Sequence, residues 1–217
     1  MATEKEKMIS GQLYHASDPI LVEERENAHI ICHEYNSTSG DREAYTYSSA
    51  STKGNRAERT GKTNHLNRKA ILKKLLGQVG ENCLIEPPFF CDYGYNIVLG
   101  DNVYFNFNCT ILDCAPVYIG HGVKFGPGVQ VYTAGHPLDL SDRLKGLEFA
   151  ASIEIGDNVW VGGGSILIPG VQIGKNTVIG AGSVVTKSFP SNVVAVGNPC
   201  RVIKKIETSL FPNSNQD

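Results

Sequence analysis

Three observations predict a mainly β fold, a left-handed parallel β-helix of hexapeptide repeats behind a small N-terminal α-helical segment. First, aliphatic or aromatic residues recur at every sixth position. One series runs Leu99, Phe105, Ile111, Val117; after a two-residue slip a second runs Ile119, Phe125, Val131 and resumes at Ile155, Val161, Leu167, Ile173, Ile179, Val185. Second, glycine follows the repeat residue at Gly100, Gly120, Gly126, Gly156, Gly162, Gly174 and Gly180. A period of six is neither the 3.6 of a helix nor the 2 of an ordinary strand, and it describes short strands each followed by a tight turn. Third, the residues before the repeats carry helical spacing and helix punctuation.

Residues 3–13 read as a short helix with Met8, Ile9 and Leu13 on one side. Ser17 or Asp18 can cap a second helix with Pro19 at its first position, running through Leu21, Val22, Ile30 and Ile31 towards Tyr35. Residues 66–76 predict a third, carrying Leu66, Ile71, Leu72, Leu75 and Leu76 and stopped by Gly77 and Gly80. Between them, residues 37–63 hold ten Ser/Thr and no Ile, Leu, Val, Phe, Met or Trp, so they have little to bury and read as a flexible insertion. The organisation expected is a helical segment over 1–76, a β-helix over 77–205 and a tail over 206–217.

Three six-residue strands make a triangular coil of roughly eighteen residues, with inward side chains stacked from coil to coil. The turns use Gly, Asp and Asn, which tolerate positive φ, as in Gly-Asp-Asn at 100–102 and 156–158 and Gly-Lys-Asn at 174–176. Val131 and Ile155 are in phase, yet residues 132–152 between them are not hexads. They predict a loop thrown out of one corner, after which the coil resumes in register.

Composition excludes several classes. The 217 residues are 41% hydrophobic and 19% charged, with a net charge of −2, which leaves no nucleic-acid footprint. No apolar run approaches the roughly eighteen residues of a membrane span. Residues 1–10 alternate Glu and Lys without an apolar core, so no secretory leader and a cytoplasmic location are expected. The six cysteines form no CxxC pair and read as free thiols of a reducing compartment.

His136, at the loop base in Tyr132-Thr133-Ala134-Gly135-His136-Pro137, can take a proton from a hydroxyl and return it; equally, it can simply hydrogen-bond the loop root. Asn106, just after the repeat residue Phe105, can donate to an oxyanion or serve as a turn asparagine. Asp92 and Asp113 can accept hydrogen bonds from sugar hydroxyls or act as turn residues. Thr186-Lys187 and Arg201 with Lys204-Lys205 suit phosphates or form a solvated basic tail. The repeat region offers only His121 and His136, one short of a three-histidine zinc site, so no metal is expected.

Together these residues resemble the maltose and galactoside O-acetyltransferase group of hexapeptide acyltransferases, which includes nodulation-type acetyltransferases, and its maltose branch above all. The carrying stretches are Glu4-Lys5-Glu6-Lys7-Met8 with Gly11-Gln12-Leu13-Tyr14, Cys91-Asp92-Tyr93-Gly94-Tyr95-Asn96-Ile97, the His136 segment, Ile155-Gly156-Asp157-Asn158-Val159-Trp160, and Gly197-Asn198-Pro199-Cys200-Arg201. The resemblance implies an acetyl-CoA-dependent O-acetyltransferase acting on a sugar such as maltose, glucose or a glycoside. It implies a homotrimer with active sites between neighbouring subunits. The base falls on His136, the oxyanion donor on Asn106, acceptor contacts on Asp92 and Asp113, and CoA contacts on Gly163, Ala181, Thr186, Lys187 and Arg201. Two alternatives stand: the same chemistry on a non-sugar or amino-sugar acceptor, and a catalytically silent trimeric scaffold.

Overall fold

Parallel strands wind into a left-handed solenoid with three flat faces, and helices close its N-terminal end. The computed structural model describes residues 2–38 and 61–207; most of the expected insertion falls outside them. In chain order, the first face stacks Gln78–Val79, Ile97–Leu99, Val117–Ile119, Ile153–Ile155 and Gln172–Ile173. The second runs from Leu84–Ile85 through Tyr104–Phe105, Lys124–Phe125, Trp160–Val161 and Val178–Ile179 to Val193–Val196, on which Arg201–Lys205 folds back antiparallel. The third stacks Phe89–Cys91, Cys109–Leu112, Gln130–Tyr132, Ile166–Leu167 and Val184–Val185.

The inward repeat residues form one column per face: Leu99, Ile119, Ile155 and Ile173; Phe105, Phe125, Val161 and Ile179; Ile111, Val131, Leu167 and Val185. In the second column the Phe105 and Phe125 rings stack with centroids 4.4 Å apart, and Phe89 lies 6.1 Å from Phe105. Ile155 pairs with both Ile119 and Ile173, so the coil does resume in register after the loop.

The coil length departs from eighteen. Early coils advance by twenty residues, as in Glu81 over Asp101; only later does Asn158 lie over Asn176 at eighteen, and the last coil advances by sixteen. The additional residues of the early coils, 92–96 and 113–116, sit at the corner between the third and first faces, where the loop also leaves. That wide corner is the source of the two-residue slip between Val117 and Ile119 in the hexad beat.

The other two corners are tight. At the first-to-second corner Asn82, Asn102, Asn158, Asn176 and Asn192 all adopt positive φ, and their side-chain amides bond along the stack, Asn176 Nδ2 donating to Asn192 Oδ1 at 2.9 Å. His121 fills an aspartate slot there: Asp157 Oδ1 accepts its N–H, and its Nδ1 accepts the N–H of Asp101. At the second-to-third corner a Cβ on Gly162 would lie 2.4 Å from the Ala181 nitrogen, so only glycine lets the next coil approach.

Helix α1 (Glu4–Ile9) begins with a Thr3/Glu6 capping box and is shorter than expected, because Gly11 at φ +77° turns the chain into the strand Tyr14–His15. Helix α2 (Pro19–Asn36) is capped by Asp18, whose Oδ1 accepts the N–H groups of Ile20 and Leu21. Helix α3 spans Gly61–Leu75. Ala28, Cys32 and Tyr35 of α2 and Ile71, Leu72 and Leu75 of α3 join the core at Ile85, Phe89 and Cys91, covering the open end a solenoid must hide. Asn36 completes the cap: its amide accepts the Phe89 N–H and donates to the Phe89 carbonyl, standing in for the strand a further coil would supply.

Phe105→Ala removes the middle ring of the aromatic stack, and we expect a loss of about 3–5 kcal/mol, read as a lower unfolding midpoint. An unchanged midpoint would contradict the packed column.

Candidate active site

The wide corner is held by Asp113. Its side chain is fully buried; Oδ1 accepts the N–H groups of Asp92 (3.1 Å) and Tyr93 (2.8 Å), and Oδ2 accepts that of Asn96 (3.2 Å). Asn96 Nδ2 donates to the Asp113 carbonyl in return. Burial pushes the Asp113 carboxyl up from 3.8 to about 7, against the pull of the N–H donors. Expected to meet an acceptor directly, Asp113 instead spends both oxygens on backbone, because the widened turn supplies donors that no other group satisfies.

Asp92 is the carboxylate that this staple presents. It is half-buried; its Oδ2 accepts the Cys114 thiol at 3.5 Å, and His29 Nε2 of α2 faces Oδ1 at 3.9 Å. Burial raises its pKa. The N-terminal segment closes over the same corner. Tyr14 donates to Glu148, Tyr14–His15 pairs with Leu147–Glu148, and Arg25 Nη1 donates to the Tyr93 hydroxyl. Met8, Tyr14, Leu21, Tyr93, Cys114, Ala115 and Ala150 form a second apolar cluster beneath these bonds.

The loop is anchored at its root by Thr133, buried, whose Oγ1 accepts the Ala115 N–H and donates to the Leu112 carbonyl. Ala134–Gly135 then pairs antiparallel with Phe149–Ala150, and a Cβ on Gly135 would lie 2.7 Å from the Phe149 ring. His136 follows, exposed and without a hydrogen bond to either ring nitrogen among the described residues. The segment after it is fixed by Arg143 of α4 (Leu140–Leu144), which donates to the carbonyls of Pro137 and Leu138. The loop-root reading of His136 is therefore not what the geometry shows.

The opposite edge of the third face carries the other candidates. Asn106 Oδ1 accepts the Phe107 N–H, while its Nδ2 has no partner among the described residues. Gly163 and Ala181 stack along this corner, their N–H groups unpaired within the described residues. Arg201 begins the returning strand beside Val196, exposed. Thr186 and Lys187, by contrast, leave the third face at the wide corner, with Asp92 and His136. The expected residues thus fall into two sets at opposite edges of one face, about 20 Å apart at roughly 3.3 Å per residue.

Sequence reasoning missed the part played by α2. His29, Arg25 and Cys32 reach the corner only because the helix docks there; the one signal was His29 and His33 at i, i+4 spacing. Among the described residues no group of three or more His, Cys, Asp or Glu is placed to hold a metal, and no helix is long and apolar enough to cross a membrane.

The site thus lies on a hexapeptide solenoid with a capping helical segment and a histidine loop at one corner. Residues 7–80 match the maltose acetyltransferase hexapeptide capping motif, and residues 152–187 match the bacterial transferase hexapeptide with six repeats. A maltose O-acetyltransferase from Clostridium difficile 630 has a similar structure, with a TM-score of 0.83, 47% identity, and coverage of 95% of this chain and 98% of that one. A galactoside acetyltransferase in complex with coenzyme A superposes with a TM-score of 0.80 at 36% identity, covering 95% and 92%. The nodulation protein L of Rhizobium meliloti is 45% identical over 92% of this chain and 97% of its own. The chain belongs to the maltose/galactoside O-acetyltransferase group of hexapeptide-repeat acyltransferases, and it is an acetyltransferase.

The raised Asp113 pKa sets a pH dependence. Its folded value lies above the unfolded 3.8, so between about pH 4 and pH 7 the native state binds the extra proton and stability falls as pH rises. Asp113→Asn removes this contribution and strands the Asn96 N–H, costing about 1–3 kcal/mol. Thermal unfolding of both proteins from pH 4 to 8 checks this; parallel profiles would contradict it.

Proposed function

We propose that this acetyltransferase transfers acetyl from acetyl-CoA to a hydroxyl of a sugar such as maltose, glucose or a glycoside, at sites assembled between neighbouring chains of a homotrimer. The observation that carries the reading is the division of the candidate residues between two edges of the third face. A wide corner bearing His136, Asp92, Thr186 and Lys187 can meet, on a neighbouring chain, the corner bearing Asn106, Gly163, Ala181 and Arg201. Cyclic association places unlike edges together at every interface.

The residues present suit the donor. The N–H groups of Gly163 and Ala181 can donate to the amide-bearing arm of CoA, and Lys187 and Arg201, both exposed, can meet its phosphates as point charge and fork. A galactoside acetyltransferase similar to this chain was solved in complex with coenzyme A, which supports CoA as the donor's carrier.

Asp92 holds the acceptor by a hydroxyl, with Asp113 as a positioning residue behind it. His136 removes the proton of the reacting hydroxyl as its oxygen attacks the thioester carbonyl. Asn106 Nδ2 donates to the oxyanion. The tetrahedral species collapses with cleavage of the C–S bond, and His136 returns its proton to the departing thiolate. Every group in this sequence is regenerated, so no cysteine nucleophile is required.

The test is CoA release from acetyl-CoA across a panel of sugars. We expect sugar-dependent release, a fall of about 10²–10⁴ in kcat for His136→Ala, and CoA affinity left intact. Near-full turnover by that variant would remove His136 as the base, and failure of every sugar would overturn the acceptor class. For Asn106→Ala we expect kcat to fall by about 10²–10³. Light scattering at micromolar concentration should give three chains; a monomer would contradict the shared site.

A further inference from the structure

Two thiols that this reaction leaves unused stand against each other under α2. Cys32 of the helix and Cys91 of the third face place their Sγ atoms 3.6 Å apart, and both are buried. The other four cysteines have no sulfur partner: Cys83 and Cys109 bond to backbone carbonyls, Cys114 faces Asp92, and Cys200 packs in the core. The hydrogen bond between the two sulfurs lowers the Cys32 pKa and, with burial, raises that of Cys91. A cavity of about 500 Å³ reaches the pair, lined also by His29, His33, Phe90 and Asp92. Two buried sulfurs in contact at the wall of an open cavity, one able to resolve an oxidised form of the other, are the arrangement of a redox-active dithiol.

We propose that Cys32 and Cys91 form a reversible redox site, a dithiol that a small hydroperoxide entering this cavity converts into a disulfide stapling α2 to the first coil. The Cys32 thiolate attacks the peroxide; the O–O bond breaks, leaving a sulfenic acid on Cys32 and releasing an alkoxide that takes up a proton as the alcohol, or water when the oxidant is hydrogen peroxide. Cys91 gives up its proton, its sulfur attacks the Cys32 sulfur, and the S–O bond breaks with loss of water. Two thiols lose two electrons and the peroxide gains them. The sulfurs must close by about 1.6 Å to reach a bond length near 2.05 Å, which a helix packed on a face can supply by a small tilt.

The test uses the full chain with hydrogen peroxide as probe and does not depend on activity. Thiols counted after denaturation should fall from six to four, the cross-linked peptide should join Cys32 to Cys91, and dithiothreitol should restore all six. Dimedone should label Cys32 alone in Cys91→Ser. Six surviving thiols, consumption of the less buried Cys83 first, or a different pair in the peptide map would each overturn the proposal. If Cys91→Ser does not fold, the wild-type map decides by itself.

Discussion

The molecule depends on one constraint: extra residues must enter a parallel solenoid without disturbing its register. Asp113 meets it by accepting three backbone N–H groups of the coil below. Because the additional residues are confined to one corner, the strands on either side stay paired and the columns unbroken. The same corner then has backbone to spare. It releases the His136 loop above, receives Tyr14–His15 from the side, and offers Tyr93 and Tyr95 to α2, where Glu24 accepts the Tyr95 hydroxyl. A buried carboxyl, its pKa pushed up to about 7 by burial, is a costly way to fix a turn. Its return is the placement of Asp92.

Stacking has a second consequence. Parallel coils put equivalent residues one above another, so each corner becomes a line of like groups: asparagine amides at one, glycines at the next, the widened turns at the third. Functional groups can vary along a line, but residues at different corners are kept a face apart by the rigid strands between them. His136 and Asn106 belong to different lines. Such groups can meet in one compact site when a second solenoid lies alongside, which ties the proposed chemistry to self-association.

Most of the fold was legible in the sequence because the inward residues repeat strictly. The phase between Val131 and Ile155 told both that a loop intervened and where the coil resumed. Helix α2 announced itself through Asp18 and Pro19. The twenty-residue coils showed in the sequence only as the two-residue slip between Val117 and Ile119, which does not say at which corner the extra residues sit, and α3 begins before its first leucine because residues 61–65 offer no periodic signal. At the site, His136 stood out by its place at a loop base, and Gly135 before it packs against the Phe149 ring. Asp113 was legible as a turn residue, but not as one whose carboxylate is wholly taken by backbone. The pairings of His29 with Asp92 and Cys32 with Cys91 join residues about sixty positions apart, set only when α2 docks.

The central claim, that one site is shared by two chains, is tested most directly by mixing two inactive variants. His136→Ala and Asn106→Ala should be denatured together in equal amounts, refolded, and assayed for acetyl transfer beside each variant refolded alone. In randomly mixed trimers about one interface in four combines an intact His136 with an intact Asn106, so about a quarter of wild-type activity should return. Activity no greater than that of the separate variants, in mixtures shown to contain both chains, would place the two residues in the same subunit's site and contradict the account.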